Sequence, residues 1–541
     1  MKSKIPALSL LLCVALSAYF LIVGIPKQIE KKTAIQHGLS VLSVEQPLES
    51  INPEDKPFTI DAIRVKSSGE DTQGTDDDPY FQAREAYKKR FGYDYDEPWD
   101  GQKVTHIFSV TPAMAGMVDF WTEVFGHYGK DQYVFHHRDD VSIVYSVIDL
   151  SDLDPMAASL SPEESEKIKK SYLNEEEQRI AKLLKKLTEK ISGHDELTPE
   201  EKRLADLFHQ NPSLSIRDSA SDELIRIQSG FAHKMKEAIV LSGQYIPEFE
   251  KIFSRMGVPV EITRLPLIES AFKIDAYSSA AAAGLWQFIP DTGKRYLRMD
   301  DVVDERYDPF LAAYAAAQHL LNEYKLLGSW PLTINAYNTG PQRMINAKRQ
   351  LETDDIAVII KNFKEPGYQF YSRNYYPEFL AALHVYENQE YYFGKLAKKD
   401  PLDYDLFLPQ QKINLLALAR AIDMDFDVLS FLNPSFNKDI LSGKKILPPG
   451  YMVRVPKEMG RLVSRVAMDY YETGAREEWH IVAQGETLQD LSARYGVSMD
   501  VLEDSNHIMA QEVLTAGMAI KIPSTQGVAI GQALPTNSAV E

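Results

Sequence analysis

Two stretches near the C-terminus superpose at a constant offset, "LLALARAIDMDFDVLSFLN" on "LQDLSARYGVSMDVLEDSN", and such a match requires two copies of one small fold. Leu415 pairs with Leu488, Leu418 with Leu491, Asp427-Val428-Leu429 with Asp500-Val501-Leu502, and Asn433 with Asn506. Each copy then closes on a basic residue, an apolar residue and proline: Arg454-Val455-Pro456 and Lys521-Ile522-Pro523. Apolar residues recur at three- and four-residue spacing over two short segments, between an initial and a final strand-like run. Each copy therefore reads as strand-helix-helix-strand. Units this small are too short for a catalytic core, and duplication favours binding, because linking weak sites raises effective concentration.

The repeat occupies only the last part of 541 residues. A chain of this length, 44% hydrophobic and 25% charged, is expected to form three or more globular units at roughly 100 to 200 residues each. A net charge of −19 with no dense Lys/Arg block argues against nucleic acid as a partner. It gives no electrostatic help toward other anionic polymers either. Residues 1–25, "MKSKIPALSLLLCVALSAYFLIVGI", place Lys2 and Lys4 before a long apolar run, which fits a secretory signal or an uncleaved anchor over residues 5–25. Ala15-Leu16-Ser17-Ala18 offers a cleavage site, whereas the run continuing through Phe20, Leu21 and Ile22 favours retention; both readings export the chain to the cell envelope or periplasm. Cys13 is the only cysteine, so no intrachain disulfide can form, and Leu12 before it argues against lipidation.

Residues 26–100 are polar and weakly patterned and read as a tether. Residues 101–240 read as an α+β region. Its "QYVFHHRDDVSIVYSVIDL" predicts a hairpin with His136, His137, Asp139 and Asp140 as turn residues rather than metal ligands, since no metal-site spacing is present. Ser161 and Thr198, each followed by proline and two glutamates, predict N-caps whose boxes are closed by Glu164 and Glu201. Residues 241–395 are dense in aromatics, alanine and Gly/Pro punctuation and read as the catalytic domain. Asp308-Pro309 opens an alanine-rich helix, and "WPLTINAYNTGP" predicts a helix from Pro331 that stops at Gly340-Pro341, with Tyr337 and Asn338 at its end. If Val260–Phe272 is one helix, Ile262, Leu265, Glu269 and Phe272 share a face, although Pro266 is placed to start a new one. A carboxyl among apolar neighbours is pushed toward its neutral form, so Glu269 can hold a proton near neutral pH.

"IESAF", "AAGLWQF", "NAYNTGP" and "RNYYPEFLAA", in this order, resemble the four motifs of the family-1 lytic transglycosylases, whose soluble-lytic-transglycosylase domain has a goose-type-lysozyme-like fold. The resemblance spans roughly Ile227 to Tyr386. It implies that Glu269 is the sole acid/base and that Ser270 helps fix the substrate. It further implies that Gln287 bonds sugar or N-acetyl groups and that Tyr337, Asn338 and Tyr375 line the site. Amides and phenols can hold N-acetyl groups without competing for the proton; Trp286 and Phe288 fit core packing better than sugar stacking. Tyr376 stands where the family commonly has valine, and "NTGPQR" replaces its usual glycine-rich loop. "EWHIVAQGETLQDLSARYGVSMDVLEDSN" resembles a LysM module, which implies glycan contacts at Gly485, Glu486, Thr487 and Asn506. The first copy has "QQKIN" where Gly485-Glu486-Thr487 stands in the second, and reads as a degenerate packing module.

The expected fold is thus multidomain: a mainly α lysozyme-like catalytic domain, the α+β region before it, and βααβ LysM-type modules at 400–457 and 478–524, with a tail at 525–541. The expected substrate is peptidoglycan glycan, with no cofactor and no metal; cell-wall protein partners are left unspecified. Enzymes that hydrolyse glycosidic bonds usually use two carboxylates, whereas an internal hydroxyl nucleophile needs only one. A hydrolytic muramidase would need a base such as Asp275, Asp291 or Asp304, of which Asp291 looks like a helix N-cap. A third reading is a non-catalytic peptidoglycan-binding scaffold.

Overall fold

The computed structural model describes residues 79–522 except 95–96, 98–106, 154–160, 212–213, 220–221, 423, 473–477, 496, 507 and 509–512. The expected leader or anchor at 1–25, the first part of the tether and the tail at 525–541 lie outside the described residues. Among the described residues, no helix is long and apolar enough to cross a membrane. They form two compact units, one of residues 107–297 and 309–401, the other of residues 79–97, 298–308 and 402–522.

The chain is first described inside the second unit, at helix α1 (Pro79–Phe91). Residues 79–91 fall within the span expected to be a tether, yet Tyr80, Ala83, Ala86, Tyr87 and Phe91 are buried. Their three- and four-residue spacing forms an apolar stripe that the surrounding lysines and glutamate obscure in composition.

In the first unit, α2 (Ala115–Gly126) precedes a three-stranded sheet of β1 (Gln132–His137), β2 (Val144–Asp149) and β3 (Ile225–Ser229), ordered β2-β1-β3. The hairpin forms as its alternation predicts, with Val134 opposite Val147, and β3 adds antiparallel on the other side, with Val134 opposite Gln228. His136 and His137 are not turn residues: they end the central strand and are each 1% exposed. The turn is made by Asp139 and Asp140, whose Oδ1 accepts from the Ser142 amide at 3.0 Å. Burial pushes His136 down to about 3, so its ring is neutral where it stacks on Phe370.

Helices α3 (Pro162–Gly193) and α4 (Pro199–Gln210) start at Ser161 and Thr198 with both capping boxes formed. Leu173, Ile180, Leu184 and Leu187 of α3, with Leu204 and Phe208 of α4, pack with Tyr133, Phe135 and Tyr145 of the sheet. The charged run between the caps is the solvated side of this cover.

Further helices of this unit include α5 (Ala232–Ser242), α6 (Ile246–Arg255), a single turn α7 (Pro266–Glu269), α8 (Pro309–Leu327), α9 (Trp330–Thr339), α10 (Pro341–Leu351) and α11 (Phe370–Glu387). Fully buried alanines 312, 313, 315, 316 and 317 let α8 lie close to its neighbours α6 and α9. Helix α2 packs along α11, where Trp121 Nε1 donates to Asn374 Oδ1 at 2.9 Å. The α+β region and the helices after it therefore share one unit.

In the second unit, β4 (Tyr404–Phe407), α12 (Leu415–Ala421), α13 (Phe426–Leu432) and β5 (Val453–Pro456) form the first repeat, and α14 (Gly460–Glu472) follows it. The second repeat is β6 (Glu478–Ile481), α15 (Leu488–Tyr495), α16 (Met499–Asn506) and β7 (Ala519–Ile522). Both copies close an antiparallel strand pair, giving the expected βααβ order. The conserved spacing has a visible cause. Asn433 Nδ2 donates to Arg454 O at 2.7 Å and its Oδ1 accepts from Arg454 N at 2.8 Å. Asn506 does the same with Lys521, at 2.8 and 2.6 Å.

The core of the first repeat takes in residues from a distant part of the chain, whereas that of the second is built from its own residues. Val302 and Val303, from the segment between Leu297 and α8, pack among Phe407, Ile413, Leu415, Leu447 and Val453. Val303 bridges Phe436, Asn437 N donates to Val302 O at 2.8 Å, and Arg454 grips the Asp308 carboxylate with both amino groups, Nη2 at 3.0 Å. Asp308 thus precedes Pro309 as expected, but its carboxylate is engaged by a strand residue.

Candidate active site

The run Val260–Phe272 is not one helix. A 3-10 turn covers Val260–Arg264, Pro266 opens the single turn α7, and the chain leaves helical geometry after Glu269. Ala271 and Phe272 take left-handed φ values of 50° and 55°, and Phe272 N reaches back to Pro266 O at 3.3 Å. The broken helix still buries Ile262, Leu265 and Phe272 and leaves Glu269 at its end, 7% exposed.

The following loop returns to this turn. Ser270 Oγ donates to Leu285 O at 3.0 Å, also lying 3.3 Å from Pro266 O, so the hydroxyl fastens the loop to the helix end. Gln287 takes φ 48° and its Nε2 donates to Gly284 O at 2.8 Å and Ala276 O at 3.2 Å. Trp286 is fully buried and stacks on Phe253 with ring centroids 5.3 Å apart; it is a core residue and does not reach a sugar. Tyr337 Oη donates to Trp286 O at 2.8 Å, joining the end of α9 to the same loop.

A cleft opens here, lined by Glu269, Gln287, Phe288, Ile289, Thr292, His319, Tyr337 and Asn338. The four expected residues that line it come from three separate motifs. Asn338 Oδ1 is buried with no hydrogen-bond partner among the described residues. Tyr375, 1% exposed on α11, does not line the cleft but donates its hydroxyl to Glu269 Oε1. Pro377 inside α11 lacks an amide and so leaves the Arg373 carbonyl without its helical donor two residues before Tyr375.

Burial pushes the Glu269 carboxyl up to about 7, against the hydrogen bond from Tyr375, which lowers it. The Tyr375 and Tyr337 phenols are pushed well above their ordinary range, by burial first and then by the charge of Glu269. Sequence reading missed two further buried acids. Glu378, three residues after Tyr375, is pushed up to about 8 by burial and then by Glu269, and Glu323 to about 8 by burial. Glu323 Oε1 lies 3.4 Å from His319 Nε2, and burial pushes His319 down to about 4. The opposite shifts leave both neutral at pH 7, so this contact is not an ion pair. The pair could have been found as the two ionisable residues at i, i+4 on an otherwise buried alanine-rich face.

Asp275, Asp291 and Asp304 do not line the cleft. Asp291 lies within the first turn of a short helix at Pro290–Gly293 that Ile289 caps, and Asp304 accepts from Arg306 N at 3.2 Å. Among the described residues, no three His, Cys, Asp or Glu side chains are grouped to hold a metal ion.

The LysM-like residues are tied into their own module by hydrogen bonds. Glu486 accepts from Ala483 N at 2.8 Å and meets His480 Nε2 and Arg494 Nη1, each at 2.5 Å. These contacts hold it down to about 2. Thr487 and Asp490 exchange side-chain-to-amide bonds at 3.2 and 2.9 Å, capping α15. Gly485 supplies φ 80° in the loop before them. Asn506, expected among glycan contacts, bonds Lys521 through both ends of its amide and Leu502 O through Nδ2 at 2.7 Å, so the side chain braces the last strand.

Residues 249–360 match the model of the "Transglycosylase SLT domain", and residues 480–523 that of the "LysM domain". Over 283 residues the chain is 27% identical to "Membrane-bound lytic murein transglycosylase D" of Escherichia coli strain K12, covering 50% of this chain and 61% of that relative. The protein of the same description from Escherichia coli O6:H1 matches to the same extent. The chain thus spans about three fifths of the length of the curated relatives it matches.

Proposed function

We propose that this chain, which carries a transglycosylase SLT domain and a LysM domain, cuts the β-1,4 bond between N-acetylmuramic acid and N-acetylglucosamine in peptidoglycan without water. The product end is a 1,6-anhydromuramyl residue, and the place of action is the cell envelope. The observation that carries this reading is a single carboxyl in the cleft: of the described residues lining it, Glu269 alone bears one.

Glu269, pushed up to about 7 so that much of it keeps its proton near neutral pH, gives that proton to the glycosidic oxygen as the C1–O bond breaks. The substrate's acetamido group, or a short-lived oxocarbenium ion, carries the positive charge that develops. Tyr375 stays on Oε1 and stabilises the carboxylate as it forms, which leaves Oε2 to move the proton. The carboxylate then takes the proton of the C6 hydroxyl, whose oxygen attacks C1 and closes the anhydro ring. Because that nucleophile belongs to the substrate, positioning does most of the work. Gln287 Nε2 is held by two carbonyls, leaving its Oε1 to accept from an N-acetyl amide, and Asn338 Oδ1 can accept from a second donor. Ser270 and Tyr337 act through the loop they fasten. The LysM domain would hold the enzyme on glycan between cuts.

The test is digestion of purified sacculi by the full chain and by Glu269→Gln, with released muropeptides weighed by mass spectrometry. Anhydro ends from wild type and none from the variant are expected. Reducing ends would make the enzyme a muramidase, and no release by wild type would leave a binding scaffold.

A further inference from the structure

We propose that Tyr277 is a glycan-stacking residue at the rim of the cleft, holding one pyranose ring of the strand on its aromatic face. The proposal deepens the transglycosylase reading and rests on it for the identity of the strand. Tyr277 lies on the narrow hairpin that connects the turn after Glu269 to the "GLWQ" loop. It pairs with Ala283 across an isolated antiparallel bridge, and Ala283 in turn bridges Phe288 of the cleft wall. Ser278 N donates to Ala282 O at 2.9 Å and Ala282 N to Ser278 Oγ at 3.0 Å, so the hairpin is fixed on both sides of the bridge. The preceding residue, Ala276, accepts Gln287 Nε2 at 3.2 Å and Gly284 N at 2.9 Å. Tyr277 is therefore one residue from the group that anchors a cleft side chain.

Alternation along the extended chain buries Ala276 and Ser278 and turns Tyr277 outward, 59% exposed. Its ring has no aromatic or cationic neighbour and its hydroxyl no hydrogen bond among the described residues. The residue facing it across the bridge is alanine, and alanines 280 to 282 lie in the hairpin, so its partners on the hairpin itself are small. A large, mostly exposed aromatic held on a braced hairpin is preorganised for a flat apolar partner. The C–H face of a pyranose is such a partner, and the polar edge of the sugar is left to the neighbouring amides. No charge is involved, which suits a strand met by a chain of net charge −19.

The experiment compares the full chain with Tyr277→Ala and Tyr277→Phe, each also combined with Glu269→Gln for binding. Sacculus digestion and cleavage of a soluble N-acetylglucosamine–N-acetylmuramic acid tetrasaccharide are followed, together with calorimetric titration of the inactive forms by the tetrasaccharide. Tyr277→Ala should raise KM about tenfold, with kcat changed little, and should weaken binding by about the same factor. Tyr277→Phe should retain wild-type values, because stacking needs only the ring. Because the side chain is exposed, melting temperatures should agree. Unchanged KM and binding in Tyr277→Ala overturn the proposal, as does a Phe variant as weak as the Ala variant. If wild type yields no anhydro ends while the binding difference persists, the reaction assignment fails and the stacking site stands.

Discussion

The hydroxyl of Tyr375 donates to Oε1 of Glu269 across the junction of α11 and the single turn α7. This bond favours the charged carboxylate, while burial favours the neutral acid and wins, leaving Glu269 at about 7. Activity that needs the acid form should fall tenfold per pH unit above about 7. Tyr375→Phe removes the hydrogen bond that opposes burial, so the alkaline limb should move upward while kcat drops roughly 10- to 100-fold. A pH profile of sacculus digestion checks both; a limb that moves downward would contradict the assignment.

Glu323 gives a stability prediction. Its carboxyl sits at about 8 in the fold against 4.5 in the unfolded chain, because burial penalises the charge. Between those values the folded protein keeps a proton that the unfolded chain has released. Stability from that proton is whole below pH ~4.5, is lost as pH rises toward ~8, and is flat beyond. Glu323→Gln stays neutral throughout, so it should gain on wild type from pH 5 to pH 8, by roughly 2–4 kcal/mol at the upper end. Calorimetric unfolding at both pH values measures it, and a difference that does not grow with pH rules the account out.

Asn506→Ala should cost about 1–2 kcal/mol in the second repeat by removing two bonds to Lys521. Retention on insoluble peptidoglycan should then be lost only as the temperature approaches the lowered melting point. Weak retention by a fully folded variant at low temperature would instead return Asn506 to the glycan contacts.

Arg454→Ala should cost about 3–5 kcal/mol, since it strands the Asp308 carboxylate in a buried setting. Arg454→Met with Asp308→Asn should recover part of that loss. Thermal unfolding of wild type, Arg454→Met, Asp308→Asn and the two combined forms a double-mutant cycle, and additive losses would show that the pair is not coupled.

Local signals were legible where one residue type has one physical use. Ser161, Thr198, Pro309 and Gly340 mark helix ends in the sequence and in the fold alike, because caps and φ limits act over a single turn. The repeat was legible for the same reason, and its paired asparagines are now explained by the strand they brace. What the sequence concealed depends on distant partners. His136 and His137 look like turn residues until β3 adds to the other side of β1 and makes it a central strand. The stripe on α1 is hidden by its charges. In the site, motif order led to Glu269, Gln287, Tyr337 and Asn338, which do line one cleft. Ser270 and Tyr375 sit behind it, and no motif pointed to His319 or Glu323, whose significance appears only once α8 is packed against the cleft.

The two repeats differ in what each would need to travel. Residues 478–522 carry a self-contained core, so gene fusion can append them whole to another chain. Residues 404–456 cannot be cut out so simply. Val302, Val303 and Asp308, which complete them, are encoded some hundred residues upstream, between elements of another unit. A recombination break placed in the obvious linker near residue 400 would leave that module with an open core, so its inheritance is bound to that of the helices around the cleft.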